Sequence, residues 1–69
     1  MTLNGYYVIE TPQGERVAKA LNETDGIFYG VYSPSDFAEK GDNQSQSMNN
    51  YYIADATKEQ ETEWNNWYI

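Results

Sequence analysis

The chain contains no cysteine and no histidine. Without cysteine there is no disulfide framework, and without either residue the common zinc sites and most nucleophile–base pairs cannot be built. The P-loop and dinucleotide patterns are missing, and the one stretch with calcium-loop spacing lacks both its central glycine and its closing glutamate. We therefore expect a protein that is not an enzyme and that needs no cofactor or metal.

Positive charge is also scarce. Four Lys and Arg face eleven Asp and Glu, which gives a net charge of −7 on 69 residues. Nucleic acids and anionic membranes repel such a surface, so direct binding to either is not expected. No apolar run approaches the roughly 20 residues of a membrane span, and the N-terminal residues do not have the pattern of a signal peptide. We expect a cytoplasmic protein with one small domain over residues 1–69.

Aromatic side chains are abundant: the chain has seven Tyr, two Trp and two Phe. In a chain this short they are expected to supply much of the core, because each can remove roughly 150–250 Å² of surface from water. Every tyrosine hydroxyl also needs a hydrogen-bond partner or water, so some of the tyrosines should be exposed. Exposed Tyr and Trp are typical of protein interfaces.

Runs of aromatic and β-branched residues predict strands that are separated by polar turns. Pro12 and Gly14 mark the first turn and Asp25-Gly26 the second. Gly30, inside the third run, indicates either a bulge or the close approach of another segment. The four predicted strands cover Tyr6–Thr11, Arg16–Leu21, Ile27–Tyr32 and Tyr51–Ala56.

A short helix is predicted between the third and fourth strands. Ser33-Pro34 has the pattern of a helix start, and Gly41 would end the helix. Residues 42–50 are polar and low in complexity, and are predicted to form a mobile loop.

A second helix is predicted at the C-terminal end of the chain. Thr57 and Gln60 have the spacing of a capping box at its start. Trp64, Trp67 and Tyr68 recur at the spacing of one helix face, which should be its apolar face. The predicted fold class is therefore α+β, with a four-stranded, mainly antiparallel sheet, a short helix and a C-terminal helix.

The acidic residues are concentrated in the second half of the chain. They are either a solvated surface that keeps a small protein soluble or a binding surface for a basic partner. On the second hypothesis, the partner-binding residues are the carboxylates of residues 35–69. These are Asp36, Glu39, Asp42, Asp55, Glu59, Glu61 and Glu63.

In its size, acidity, aromatic content and lack of Cys and His, the whole chain resembles the small phage-encoded DNA-mimic proteins. The resemblance is one of kind, because these proteins share no sequence motif, and it transfers no residue role. It implies an inhibitor that covers the DNA-binding surface of a basic host protein in the host cytoplasm. The nucleoid protein HU is the first expected target, followed by a restriction or CRISPR nuclease and a DNA-repair glycosylase.

Two other function classes stay open at the level of the sequence. The first is a generic interaction module that forms homodimers through exposed Tyr and Trp and is acidic only for solubility. The second is a carbohydrate-binding domain that stacks sugars on Trp64, Trp67 or the tyrosines. Salt-resistant binding would favour the first, and quenching of Trp fluorescence by sugars would favour the second.

Overall fold

A five-stranded antiparallel sheet and one helix make up the computed structural model, which describes residues 1–32 and 44–68. The α+β class is confirmed, but the prediction of four strands is wrong. Along the sheet the strand order is β4-β3-β2-β1-β5. The elements are β1 (Tyr6–Thr11), β2 (Gly14–Thr24), β3 (Ile27–Tyr32), β4 (Gln44–Ser47), a 3₁₀ turn (Asn49–Tyr51), β5 (Tyr52–Asp55) and α1 (Lys58–Tyr68).

The first hairpin, β1–β2, closes over a two-residue connection. Thr11 pairs with Gly14, and Gly14 has a positive φ of 99°, which glycine adopts without strain. The Thr11 hydroxyl accepts a hydrogen bond from the Gln13 N–H (3.1 Å) and donates one to the Gly14 carbonyl (2.7 Å). These bonds fix the turn, and with it the register of the two strands.

The second hairpin, β2–β3, turns at Asp25-Gly26. Both residues have positive φ, 53° and 84°, which is the geometry of a type I′ hairpin turn. Because only two residues form the turn, β2 continues to Thr24 rather than ending at Leu21 as predicted.

The additional strand lies in the segment that was predicted to be a loop. Residues 44–47 form β4, which pairs antiparallel with β3, and the 3₁₀ turn begins at Asn49. The Asn49 side chain holds this segment by accepting from the Phe28 N–H (2.7 Å) and donating to the Gly26 carbonyl (3.2 Å). The predicted short helix from Ser33 to Gly41, and residues 42 and 43 of the predicted loop, lie outside the described residues.

The main core lies on one face of the sheet and contains Ile9, Ala18, Ala20, Tyr32 and Met48. The sheet curls around this face: the Gln46 side chain of β4 donates to the Glu10 carbonyl of β1 (2.5 Å). In a flat sheet these strands would lie about 14 Å apart, because two strands separate them. Gly30 makes room for the core, since a Cβ there would collide with the Met48 side chain.

The prediction that another segment approaches Gly30 is therefore confirmed, whereas the extra residue of the nearby bulge is Leu21 of β2 rather than Gly30 itself. Besides the close approach of Met48, the β2–β3 register shifts next to it, between Ala20 and Asn22. The opposite face of the sheet carries Val8 and Val17, which pair across β1 and β2, and α1 packs on this face. Within residues 1–32 and 44–68, no helix has both the length and the apolar character needed to cross a membrane.

Candidate partner-binding site

Helix α1 carries most of the predicted site residues that the structure describes, and its start is fixed by the predicted capping box. The Thr57 hydroxyl accepts from the Gln60 N–H (3.2 Å), and the Gln60 side-chain oxygen accepts from the Thr57 N–H (2.8 Å). Each bond satisfies a backbone N–H that the first turn leaves without a helical partner. Glu59 and Glu61 lie in this first turn, where the helix dipole favours negative charge.

Trp64 determines which side of α1 faces the solvent. It is 7% exposed, packs edge-to-face on Tyr6 (ring centroids 5.7 Å apart, planes at 77°) and donates from its indole N–H to the Val31 carbonyl (2.7 Å). Asn65 is also held to the sheet, because its Oδ1 accepts from the Tyr6 hydroxyl (2.9 Å). With Trp64 on the sheet, the outward face of the helix consists of Glu59, Thr62, Glu63 and Asn66, all of them exposed.

Glu59 and Glu63 are the two predicted residues that the helix brings together. They are one turn apart, about 6 Å along the axis, and line the same surface depression with Trp67. Like charges at this spacing cost roughly 0.2–0.5 kcal/mol of helix stability. Glu61 points away from them, about 200° around the helix from Glu59, and is half-buried.

Asp55 occupies a separate position at the end of β5. Its Oδ1 accepts a hydrogen bond from the Tyr52 hydroxyl (2.8 Å). This bond raises the pKa of the Tyr52 phenol above its ordinary value of 10.0, with smaller contributions from desolvation and from the nearby Asp55 charge. The remaining predicted residues, Asp36, Glu39 and Asp42, lie outside the described residues.

The described basic residues leave these carboxylates unneutralised. The Lys19 ammonium lies over the rings of Tyr6 and Trp64, 5.3 and 5.5 Å from their centroids. Arg16 donates from Nη1 to the Glu15 backbone carbonyl (2.8 Å). Within the part of the chain that the structure describes, no Lys or Arg forms an ion pair with a carboxylate. None of these carboxylates is therefore neutralised by a direct ion pair, although Lys58 directly precedes Glu59 in α1.

A further acidic pair, Glu10 and Glu15, is not among the predicted site residues. They face each other across β1 and β2, on the same face of the sheet as α1. The helix covers the opposite end of this strand pair, near Tyr6. Both are exposed, and like charges directly opposite each other weaken a sheet. The tight turn at Pro12-Gln13 was the signal that could have revealed them, because pairing Thr11 with Gly14 places Glu10 opposite Glu15.

Comparison with known proteins adds no assignment. No family model, curated protein or solved structure matches this chain. Among the described residues, no group of three or more acidic side chains is placed to hold a metal ion. The chemistry that this surface offers is therefore a set of solvated carboxylates together with neutral hydrogen-bonding groups and the half-buried Trp67.

Proposed function

We propose that this protein binds the DNA-binding surface of a basic protein and blocks it by mimicking DNA. One observation carries the proposal: the carboxylates of the described residues have no ion-pair partner, although Arg16 and Lys19 are available in the sheet. The ammonium group of Lys19 instead lies over the rings of Tyr6 and Trp64. The charges of these carboxylates are therefore available to a basic partner.

The arrangement of the charges supports the same function. Glu59 and Glu63 lie about 6 Å apart along α1, and Glu10 faces Glu15 across a strand pair. Similar distances separate successive phosphates along a DNA strand. Both pairs cost stability in the isolated protein. A basic groove that normally binds phosphates would relieve this repulsion and gain attraction.

The target class follows from the charge and from the resemblance to phage-encoded DNA mimics. The nucleoid protein HU is the first target to test, in the cytoplasm of a bacterial host. A restriction or CRISPR nuclease and a DNA-repair glycosylase come next. In this account the protein is a binding module rather than an enzyme, and it does not itself bind nucleic acid.

The test is a titration of purified HU with the wild-type protein and with the double variant E59Q/E63Q. The double variant should bind about tenfold more weakly, since two exposed charge contacts together contribute roughly 1–2 kcal/mol. Binding of the wild-type protein should also weaken as salt is raised, because salt screens exposed charges. Calorimetry at two salt concentrations measures both effects.

The matched control is E23Q/D25N, which removes the same amount of charge from the β2–β3 turn. A glutamine oxygen can still accept from the Gly26 N–H as Glu23 does (2.6 Å), and Asn is well suited to the positive φ of residue 25. This control should retain wild-type affinity. E61Q should also bind nearly as well as wild type, because Glu61 lies away from the outward face. If both double variants lost the same affinity for HU, the effect would depend only on net charge. That result would contradict a defined binding site on α1.

A homodimeric interaction module is the second candidate, favoured by the edge strand β5. All four of its residues are exposed, including Tyr52 and Ile53, and the preceding Tyr51 is 49% exposed. An exposed edge strand can pair with a second chain. Sedimentation equilibrium separates the two candidates, because dimerisation through these side chains would persist at high salt. The sugar-binding alternative has less support, since Trp64 packs on the sheet and only Trp67 is left partly accessible.

A further inference from the structure

A second candidate site lies on the other side of the molecule, beside the main core. An open cavity of about 370 Å³ is lined by Met1, Thr2, Tyr7, Asn49, Tyr52 and Asp55. Its size is within the range of small-ligand sites. None of the described residues that line it carries a basic side chain. The cavity therefore combines aromatic rings with one carboxylate, and the other charged group among its lining residues is the N-terminal ammonium of Met1.

A β-bulge brings the aromatic and acidic groups together. Tyr7 pairs with Asp55 and Ile9 pairs with Tyr52, and the register shift between these pairs leaves Ile53 as an extra residue in β5. Tyr7 and Ile9 share one face of β1, so their partners Tyr52 and Asp55 also share one face. Without the extra residue, positions three apart in a strand would point to opposite faces.

Both rings are held in place by contacts within the protein. The Tyr7 hydroxyl accepts from the Thr2 N–H (2.8 Å), and its ring lies against Gly5, where a Cβ would come within 2.5 Å of the hydroxyl oxygen. Tyr52 is held by its hydrogen bond to Asp55. The two ring centroids are 6.1 Å apart with planes at 63°. A ligand would therefore not have to order these rings on binding.

The same kind of ring pair already holds a cation elsewhere in this molecule. Tyr6 and Trp64 meet at 5.7 Å and 77°, and the Lys19 ammonium lies within 5.5 Å of both centroids. These distances are within the range of cation–π attraction. The pair formed by Tyr7 and Tyr52 has similar geometry, opens to a cavity and adds the carboxylate of Asp55.

We propose that the cavity between Tyr7, Tyr52 and Asp55 binds an alkylammonium cation, held by both rings and by the carboxylate. The chemistry fits a free quaternary ammonium compound or the ammonium group of a lysine side chain. This site is independent of the acidic face of α1. If a lysine is the ligand, the site gives the proposed basic partner a second point of contact.

The experiment is an NMR titration of the whole protein with choline and with its uncharged analogue of the same shape, 3,3-dimethylbutan-1-ol. Choline should bind about tenfold more tightly, because attraction to two rings and a carboxylate requires the charge. The shifted amide signals should be those of Tyr7, Asn49, Tyr52 and Asp55. A parallel titration with Nα-acetyl-lysine methylamide distinguishes the two sources of the cation. If this compound binds, the ligand is a protein side chain. If choline binds and this compound does not, the ligand is a free quaternary ammonium compound.

Three variants make the outcome specific. Y52L keeps an apolar side chain but removes the ring, and D55N keeps the shape but removes the charge; each should weaken choline binding at least about fivefold. E23Q removes one charge from the β2–β3 turn and should leave choline binding unchanged. Equal binding of choline and the uncharged analogue, absence of binding by either, or an unchanged affinity in Y52L would overturn the proposal. None of these results bears on HU binding by α1, which is measured separately.

Discussion

The hydrogen bond from the Tyr52 hydroxyl to Asp55 gives one carboxylate of the predicted site a structural role. It keeps the Tyr52 phenol in its protonated form and therefore raises its pKa. Because the pKa in the folded protein is higher than in the unfolded chain, the bond stabilises the fold below pH about 10. This contribution is lost as the pH rises through the raised pKa.

The prediction at this scale is that Tyr52 ionises later than an ordinary tyrosine. A pH titration of tyrosinate absorbance should show a late step that disappears in Y52F and moves to lower pH in D55N. Y51F removes the neighbouring phenol but keeps the bond between Tyr52 and Asp55, so the late step should remain. If D55N and the wild type titrate with the same profile, the hydrogen bond does not control this group.

This contact could not be predicted from the sequence. Tyr52 and Asp55 are three residues apart in a strand, where simple alternation places them on opposite faces. The extra residue Ile53 reverses that expectation, and no glycine or other signal in the sequence marks the bulge. By contrast, Gly30 marked its close contact clearly, since only a residue without a side chain fits beneath Met48.

At the scale of elements, local chemistry predicted some segments closely and failed for one. β1 and β3 have the predicted bounds, because aromatic and β-branched residues fill them and a turn with glycine follows β1 and precedes β3. β4 was missed because its sequence, Gln-Ser-Gln-Ser, has no apolar alternation. Its pairing with β3 is decided by tertiary contacts of Met48 and Asn49, which lie beyond the strand itself.

Helix α1 was predicted from its capping box, and its stability should depend on that box. T57A removes the hydroxyl that accepts from the Gln60 N–H and should lower the free energy of unfolding by about 1 kcal/mol. Urea denaturation followed by circular dichroism measures the loss. T57S keeps a hydroxyl at the same position and should unfold close to the wild-type midpoint, whereas an unchanged midpoint in T57A would show that the cap contributes nothing.

The same helix shows how far the site could be predicted. The acidic positions of α1 follow from the sequence, but their grouping does not: Glu59 and Glu63 face outward only because Trp64 is fixed by Tyr6 and Val31. From the sequence alone, Glu61 was predicted to be a partner-binding residue together with Glu59 and Glu63. Its different environment depends on the rotation of the helix on the sheet, which is set by tertiary packing.

For the whole molecule, the dominant property is a net charge of −7, and among the described residues no basic side chain forms an ion pair with a carboxylate. Self-repulsion of this kind opposes the compact state, and a basic partner would remove it. The central claim is that the partner is a DNA-binding protein and that the contact takes the place of DNA.

The most direct test is capture from a nuclease-treated bacterial lysate on the immobilised protein, with E59Q/E63Q as the parallel control. The account predicts that a basic DNA-binding protein is retained, elutes at moderate salt and is displaced by added duplex DNA, and that the control retains much less of it. Mass spectrometry of the eluted fractions identifies that protein. The account is contradicted if no basic protein is enriched over the control, or if added DNA fails to displace the protein that is bound.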